Sequence, residues 1–207
     1  LQLSESKQYQ VIYTLGRRRP ENSNENVVSY IVSFEDLSST FKQIPIKQND
    51  IVDVFCTLGS TIKNAGSKSA FKQVDYNYIV NLGEISKKYH VSHFAVVSAI
   101  GANANSPFFY NQVKGEMEQA LIAMNFSSLT IFRPSLLYGP REVFRLKETI
   151  SYGVFWLLSP LFQGKYKRYS AININSVALA LMKVAEGKRK GVYIYESHNI
   201  EQISKTS

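Results

Sequence analysis

Tyr110 and Lys114 stand four residues apart at the start of an amphipathic stretch, a spacing that places both side chains on one face of a helix near its N-terminal end. A phenol and an ammonium so placed can manage a proton. Tyrosine's reference pKa is about 10, so a tyrosine working near neutrality needs its anion stabilised, and the adjacent Lys114 would supply that charge. Ser98 closes an apolar run and offers a hydroxyl that can hold a carbonyl or alcohol oxygen while the phenol exchanges a proton with it. A Tyr-x-x-x-Lys pair is weak by itself, since a chain with 13 tyrosines produces one by chance as an ordinary exposed helical pair. The order of features carries more: strand, terminal serine, tyrosine, lysine, amphipathic helix, strand, then Arg133-Pro134.

The elements that must position these groups can be read from periodicity. Short apolar or β-branched runs at 10–15, 27–32, 52–57, 93–98 and 129–132 predict buried strands, with a late strand at 191–195. Phe71, Val74, Tyr78, Leu82 and Ile85 recur at helical steps, as do Val113, Met117, Ala120, Leu121 and Met124, so each set covers one face of a sheet. Strand and helix in alternation, with nearly continuous apolar strands, predict an α/β fold with a doubly wound, Rossmann-like parallel sheet and helices on both faces. Ligands of such sheets bind outside the carboxyl ends of the strands. Those positions here are Gly16-Arg17-Arg18-Arg19, Thr57-Leu58-Gly59-Ser60, Ser98-Ala99-Ile100-Gly101 and Arg133-Pro134-Ser135.

At 207 residues and 44% hydrophobic content, the chain is expected to form a single domain over 1–207, with the aromatic-rich segment 141–170 as a substrate-side cap. The net charge of +8 is spread over separate clusters without aromatic interleaving, so nucleic acid is not an expected partner. The longest strongly apolar stretch, 153–162, is far below the roughly 20 residues of a membrane span and contains Pro160, so no stable membrane insertion is expected. A single cysteine, Cys56, permits no intrachain disulfide and reads as a small buried hydrophobe. With reducing conditions implied, a cytoplasmic location is expected. His90, His93 and His198 approach no metal-ligand spacing, and no metal site is expected.

The runs Cys56-Thr57-Leu58-Gly59-Ser60-Thr61, Val96-Val97-Ser98-Ala99-Ile100-Gly101-Ala102, Tyr110-Asn111-Gln112-Val113-Lys114-Gly115-Glu116-Met117-Glu118 and Phe132-Arg133-Pro134 resemble the short-chain dehydrogenase/reductase superfamily. Within it they look like the atypical branch of Tat-interacting-oxidoreductase-like NAD(P)-binding proteins. The resemblance runs from Gln10 through nearly the whole chain and is most specific over 54–134. It implies Ser98, Tyr110 and Lys114 as the catalytic residues, with Tyr110 at the cofactor and Lys114 also holding the nicotinamide ribose. Leu58 and Gly59 would line the cofactor, and Arg141 would approach cofactor or substrate. An asparagine that supports a proton relay in many superfamily members has no secure counterpart, and Asp75, Asn77 and Asn81 are the residues at hand.

Arginines at 17–19 follow the strand whose end normally meets the adenosine ribose, and a guanidinium suits the 2′-phosphate of NADP as an acidic residue suits the 2′-hydroxyl of NAD. NADP is therefore the expected cofactor, although three arginines solvating a surface loop is the plain alternative. The activity implied is NADP-dependent hydride transfer between a carbonyl and an alcohol, with a small apolar or aromatic carbonyl substrate. A regulatory or redox-sensing NADP-binding protein with little or no turnover is the competing reading. The superfamily also has a first strand and a glycine-rich turn that cradles the pyrophosphate, and neither is found in this sequence. The expectation is that the chain starts within the first helix and that the central sheet lacks a strand.

Overall fold

A computed structural model describes residues 2–20, 24–139, 171–187 and 189–206. Arg141 and the expected cap at 141–170 lie outside the described residues. Helix α1 (Gln2–Glu5) precedes two parallel strands, β1 (Ile12–Gly16) and β2 (Val27–Ile31), followed by α2 (Leu37–Phe41). Strand β3 (Asp53–Cys56) leads through α3 (Ile62–Ala65), α4 (Lys68–Lys72) and α5 (Tyr78–Lys88) to β4 (His93–Val97). Helix α6 (Phe109–Ala123) then connects to β5 (Ser128–Arg133). A short parallel pair, β6 (Leu137–Tyr138) and β7 (Ile172–Asn173), precedes α7 (Ile174–Glu186), β8 (Gly191–Glu196) and α8 (Ser197–Lys205).

The expected strands are all present, and every described pairing is parallel. The main sheet has the order β3-β4-β5-β8, while β1 and β2 form a separate pair. Among the described residues no strand hydrogen-bonds β1 to β3. Side chains span that break: the Tyr9 hydroxyl donates to Asp53 Oδ2 at 2.7 Å, and the Tyr9 ring meets Phe55 edge-on at 6.1 Å between centroids.

Successive strand residues point to opposite faces, and the two cores follow from this alternation. Phe94, Val96, Leu129 and Ile131 face one layer with Ile79, Leu82 and Ile85 of α5 and Met117 and Leu121 of α6. Ala95 and Phe132 face the other layer with Val177, Ala180 and Leu181 of α7. Both faces are thus covered by helices, which is the doubly wound arrangement. The β1–β2 pair joins the first layer through Leu15, Tyr30 and Val32, so the break in hydrogen bonding is not a break in the core.

Local chemistry sets the helix starts. Thr61, Ser67 and Asn173 each accept a backbone N–H from two or three residues ahead, satisfying a donor that the first turns of α3, α4 and α7 leave free. Between α4 and α5 the backbone winds more widely, with a single π-helical turn over Gln73–Asn77. Such an inserted turn rotates one residue out of the ordinary helical stripe. Asp75, inside this turn, is fully buried.

Candidate active site

The carboxyl ends of β3, β4 and β5 come together through their connections. The N–H of Ser98 donates to the Phe132 carbonyl at 2.7 Å and that of Ile100 to the Pro134 carbonyl at 2.9 Å, so the segment after β4 continues alongside β5. It then folds back onto α6. Asn111 donates from its amide to the Gly101 carbonyl at 2.7 Å, and Asn103 N–H donates to the Asn111 carbonyl at 3.0 Å. Gly101 holds a positive φ of 76°, a conformation glycine adopts without steric cost. Gly115 permits the closest approach: a Cβ there would lie 2.1 Å from the Ala104 nitrogen. The first turns of α6, which carry Tyr110, are therefore held against the connection that begins at Ser98.

Ser98 is buried, and its hydroxyl has no hydrogen-bond partner among the described residues. An orphaned buried hydroxyl at a strand end is a group waiting for a polar partner. The Tyr110 ring is half-buried and packs on Phe71 with centroids 5.3 Å apart. Burial, and then the negative charge of Asp75, push its phenol up to about 12. The hydroxyl is accordingly protonated across the physiological range.

Lys114 is buried, and its ammonium lies 2.7 Å from Asp75 Oδ1. The second carboxylate oxygen of Asp75 accepts the Ser60 N–H at 2.8 Å. Burial raises the Asp75 carboxyl, against the pull of Lys114 and of that amide. Gly59 is exposed directly over this pair, where a Cβ would sit 3.4 Å from Asp75 Oδ1 and 3.7 Å from Lys114 Nζ. One carboxylate thus ties the connection after β3, the π-turn and α6 into one cradle.

Sequence reasoning placed Asp75 among three possibilities for a supporting residue without giving it a partner. Its signal was only its position on the helix before β4. A second ion pair, the buried Glu118 with the partly exposed Arg133, was not anticipated. The Arg133 Nε lies 3.1 Å from both Glu118 oxygens, and the pair fixes the end of β5 to α6. Leu58 is partly buried against the core, and Arg17 and Arg18 project from the end of β1 into solvent. Cys56 is buried, with its thiol pushed up to about 11 by burial, which suits the packing role expected of it.

These features fit a dinucleotide in part. Exposed guanidiniums at the β1 end, a bare glycine backbone over a buried ammonium, and an unpaired serine hydroxyl suit a phosphate-bearing ribose and a polar reacting group. The sequence contains no G-x-G-x-x-G turn to take a pyrophosphate.

No family model matches the chain. Among curated proteins, FMP52-1 of Scheffersomyces stipitis is 30% identical over 207 residues, covering 98% of this chain and 91% of that protein. HTATIP2 of Rattus norvegicus is 32% identical over 171 residues, covering 81% of this chain and 67% of that protein. The chain belongs to the FMP52 and HTATIP2 family of atypical short-chain dehydrogenase/reductases. Coverage varies within this family: the match to FMP52-2 of Scheffersomyces stipitis, 35% identical over 72% of this chain, spans 65% of that protein's length, less than two thirds. Solved structures agree on the Rossmann-like fold. The Bordetella bronchiseptica enzyme WbmH, in complex with NAD+, superposes with a TM-score of 0.66 at 16% identity over 94% of this chain and 71% of its own. A UDP-glucose 4-epimerase of Thermotoga maritima does so with a TM-score of 0.61 at 16% identity, over 94% and 74%.

The cytoplasmic expectation is corrected by these relatives, since the FMP52 proteins of Scheffersomyces stipitis, Meyerozyma guilliermondii and Candida albicans are named as mitochondrial. The inference failed because a lone cysteine reports on redox conditions, not on an address, and more than one compartment keeps thiols reduced.

Proposed function

We propose that the chain is an NADP-dependent oxidoreductase of the short-chain dehydrogenase/reductase type that reduces a small apolar or aromatic carbonyl, and that it works in the mitochondrion as its FMP52 relatives do by name. The observation that carries the reading is the half-buried Tyr110 in the first turn of α6, beside the connection from Ser98, whose hydroxyl is unpaired among the described residues. NADPH, when bound, supplies the hydride. Ser98 orients the carbonyl oxygen and Tyr110 gives it a proton, while Lys114 holds the nicotinamide ribose beside Gly59. Arg17 and Arg18 take the 2′-phosphate through planar, charge-assisted hydrogen bonds.

The test is a fluorescence titration with NADPH and NADH, together with cofactor oxidation over a panel of aldehydes and ketones. NADPH is expected to bind more tightly, and replacing both Arg17 and Arg18 by alanine to narrow the gap mainly by weakening NADPH. Tyr110→Phe should lower turnover by about 10²- to 10⁴-fold with NADPH affinity within a few-fold, because it removes a proton donor and little cofactor contact. Full turnover in Tyr110→Phe on a verified substrate would end the assignment. The commitment of Lys114 to Asp75 favours a second reading, an NADP-binding regulatory or redox-sensing protein with little or no turnover. NADPH binding without oxidation across the whole panel would select it.

A further inference from the structure

We propose that Asn111 is a positioning residue, whose grip on the connection after β4 sets the separation at which the Ser98 hydroxyl and the Tyr110 phenol can meet one carbonyl oxygen. The inference rests on the reductase reading and names what aligns its two donors. Ser98 and Tyr110 come from different elements, the first directly after β4 and the second in the first turn of α6. Among the described residues no hydrogen bond joins their side chains. One oxygen accepts from both only if each donor stands within about 3 Å of it, so something else has to hold the two segments in register.

Residues 98–104 are bound on two sides. Toward β5, the Ser98 and Ile100 amides donate to the Phe132 and Pro134 carbonyls. Toward α6, every hydrogen bond among the described residues ends on Asn111. Its side-chain amide donates to the Gly101 carbonyl at 2.7 Å and more loosely to that of Ile100 at 3.5 Å, and its own carbonyl accepts the Asn103 N–H at 3.0 Å. Gly101 admits this grip: a Cβ there would lie 2.6 Å from the Asn111 amide nitrogen. Asn111 directly follows Tyr110, so the grip fixes the first turn of α6 against the segment that Ser98 begins. The other ties lie further along the helix. Gly115 packs on Asn103 and Ala104 about one turn on, and Glu118 pairs with Arg133 about two turns on. These keep α6 docked without Asn111 and leave its first turn free to rock.

The experiment compares Asn111→Ala and Asn111→Asp with the wild type, as full chains, using NADPH and a carbonyl that the wild type reduces. Both variants remove the amide donor, and neither disfavours the helix. Alanine is a better helix former than asparagine, and a carboxylate in the first turn suits the positive end of the helix. Misplacing reacting groups by about 1 Å can cost about 10²-fold, so kcat is expected to fall about 10- to 10²-fold in each variant. The KM for the carbonyl and the NADPH affinity should stay within a few-fold, and the urea midpoint close to that of the wild type. Undiminished kcat in either variant overturns the proposal. So does a fall in kcat matched by weakened NADPH binding or a lowered urea midpoint, which would make Asn111 a support of the fold and not of the alignment. A wild type that reduces no carbonyl ends the reductase reading and this role with it, whereas wild-type turnover that the variants retain ends this role alone.

Discussion

At the scale of single residues, the described chain buries Lys114, Glu118 and His93 and gives each a named partner. Lys114 has Asp75, Glu118 has Arg133, and His93 has a hydrogen bond between its Nε2 and Thr130 Oγ1 at 2.9 Å. Breaking such a pair leaves an uncompensated buried charge, a greater loss than the pair's own net contribution. His93 gives a clean pH signature. Burial holds its imidazole below the ordinary histidine range, so the native state resists the proton that the unfolded chain accepts near pH 6.5. Stability from this residue is therefore present above the unfolded value and is lost as pH falls through the folded one. Urea midpoints at about pH 7.5 and about pH 5.5 should differ in the wild type and differ less in His93→Gln. An undiminished difference in the variant would place the sensitive group elsewhere. That Ser98 closes β4 and that Tyr110 and Lys114 lie in the first turns of α6 was readable from their order along the chain. The Asp75 partnership was not, because no periodic rule links residues 39 positions apart on different elements.

At the scale of elements, the strands were readable from their apolar runs, and α6 from the recurrence of Val113, Met117 and Leu121, all of them buried. The stretch from Phe71 to Ile85 reads as helical throughout, and the structure is helical throughout, with one π-turn between α4 and α5. A single wide turn changes the register too little to disturb an apolar pattern of three and four, and Asp75 lies buried within it. The contact between α6 and the connection after β4 offers a direct check, because Gly115 has almost no room over Asn103 and Ala104. Gly115→Ala would ordinarily favour a helix, since glycine is the poorer helix former. Here the new methyl would collide with backbone that cannot swing aside, and the variant is expected to lose about 1–3 kcal/mol in urea unfolding. A gain in stability would mean that the connection does not pack on α6 as described.

At the scale of the whole molecule, the doubly wound layering was legible, because alternating strands and amphipathic helices admit few other arrangements. Among the described residues the β1–β2 pair and the β3-β4-β5-β8 sheet share no backbone ladder. That division also separates the groups proposed to hold the dinucleotide. Arg17 and Arg18 belong to the smaller pair, whereas Ser98, Tyr110 and Lys114 belong to the larger sheet and its helices. Parts joined only by side-chain packing open more readily than parts joined by a hydrogen-bonded ladder, and amide hydrogen exchange reads that difference directly. Amides of β1 and β2 should exchange faster than those of β4 and β5, which are laddered on both sides. Equal protection throughout would show that the two parts open as one cooperative unit. A ligand that grips both parts would act as a strut between them, so NADPH should slow exchange in β1 and β2 far more than in β4 and β5, and a ligand confined to the larger sheet would leave the smaller pair as quick to open as before.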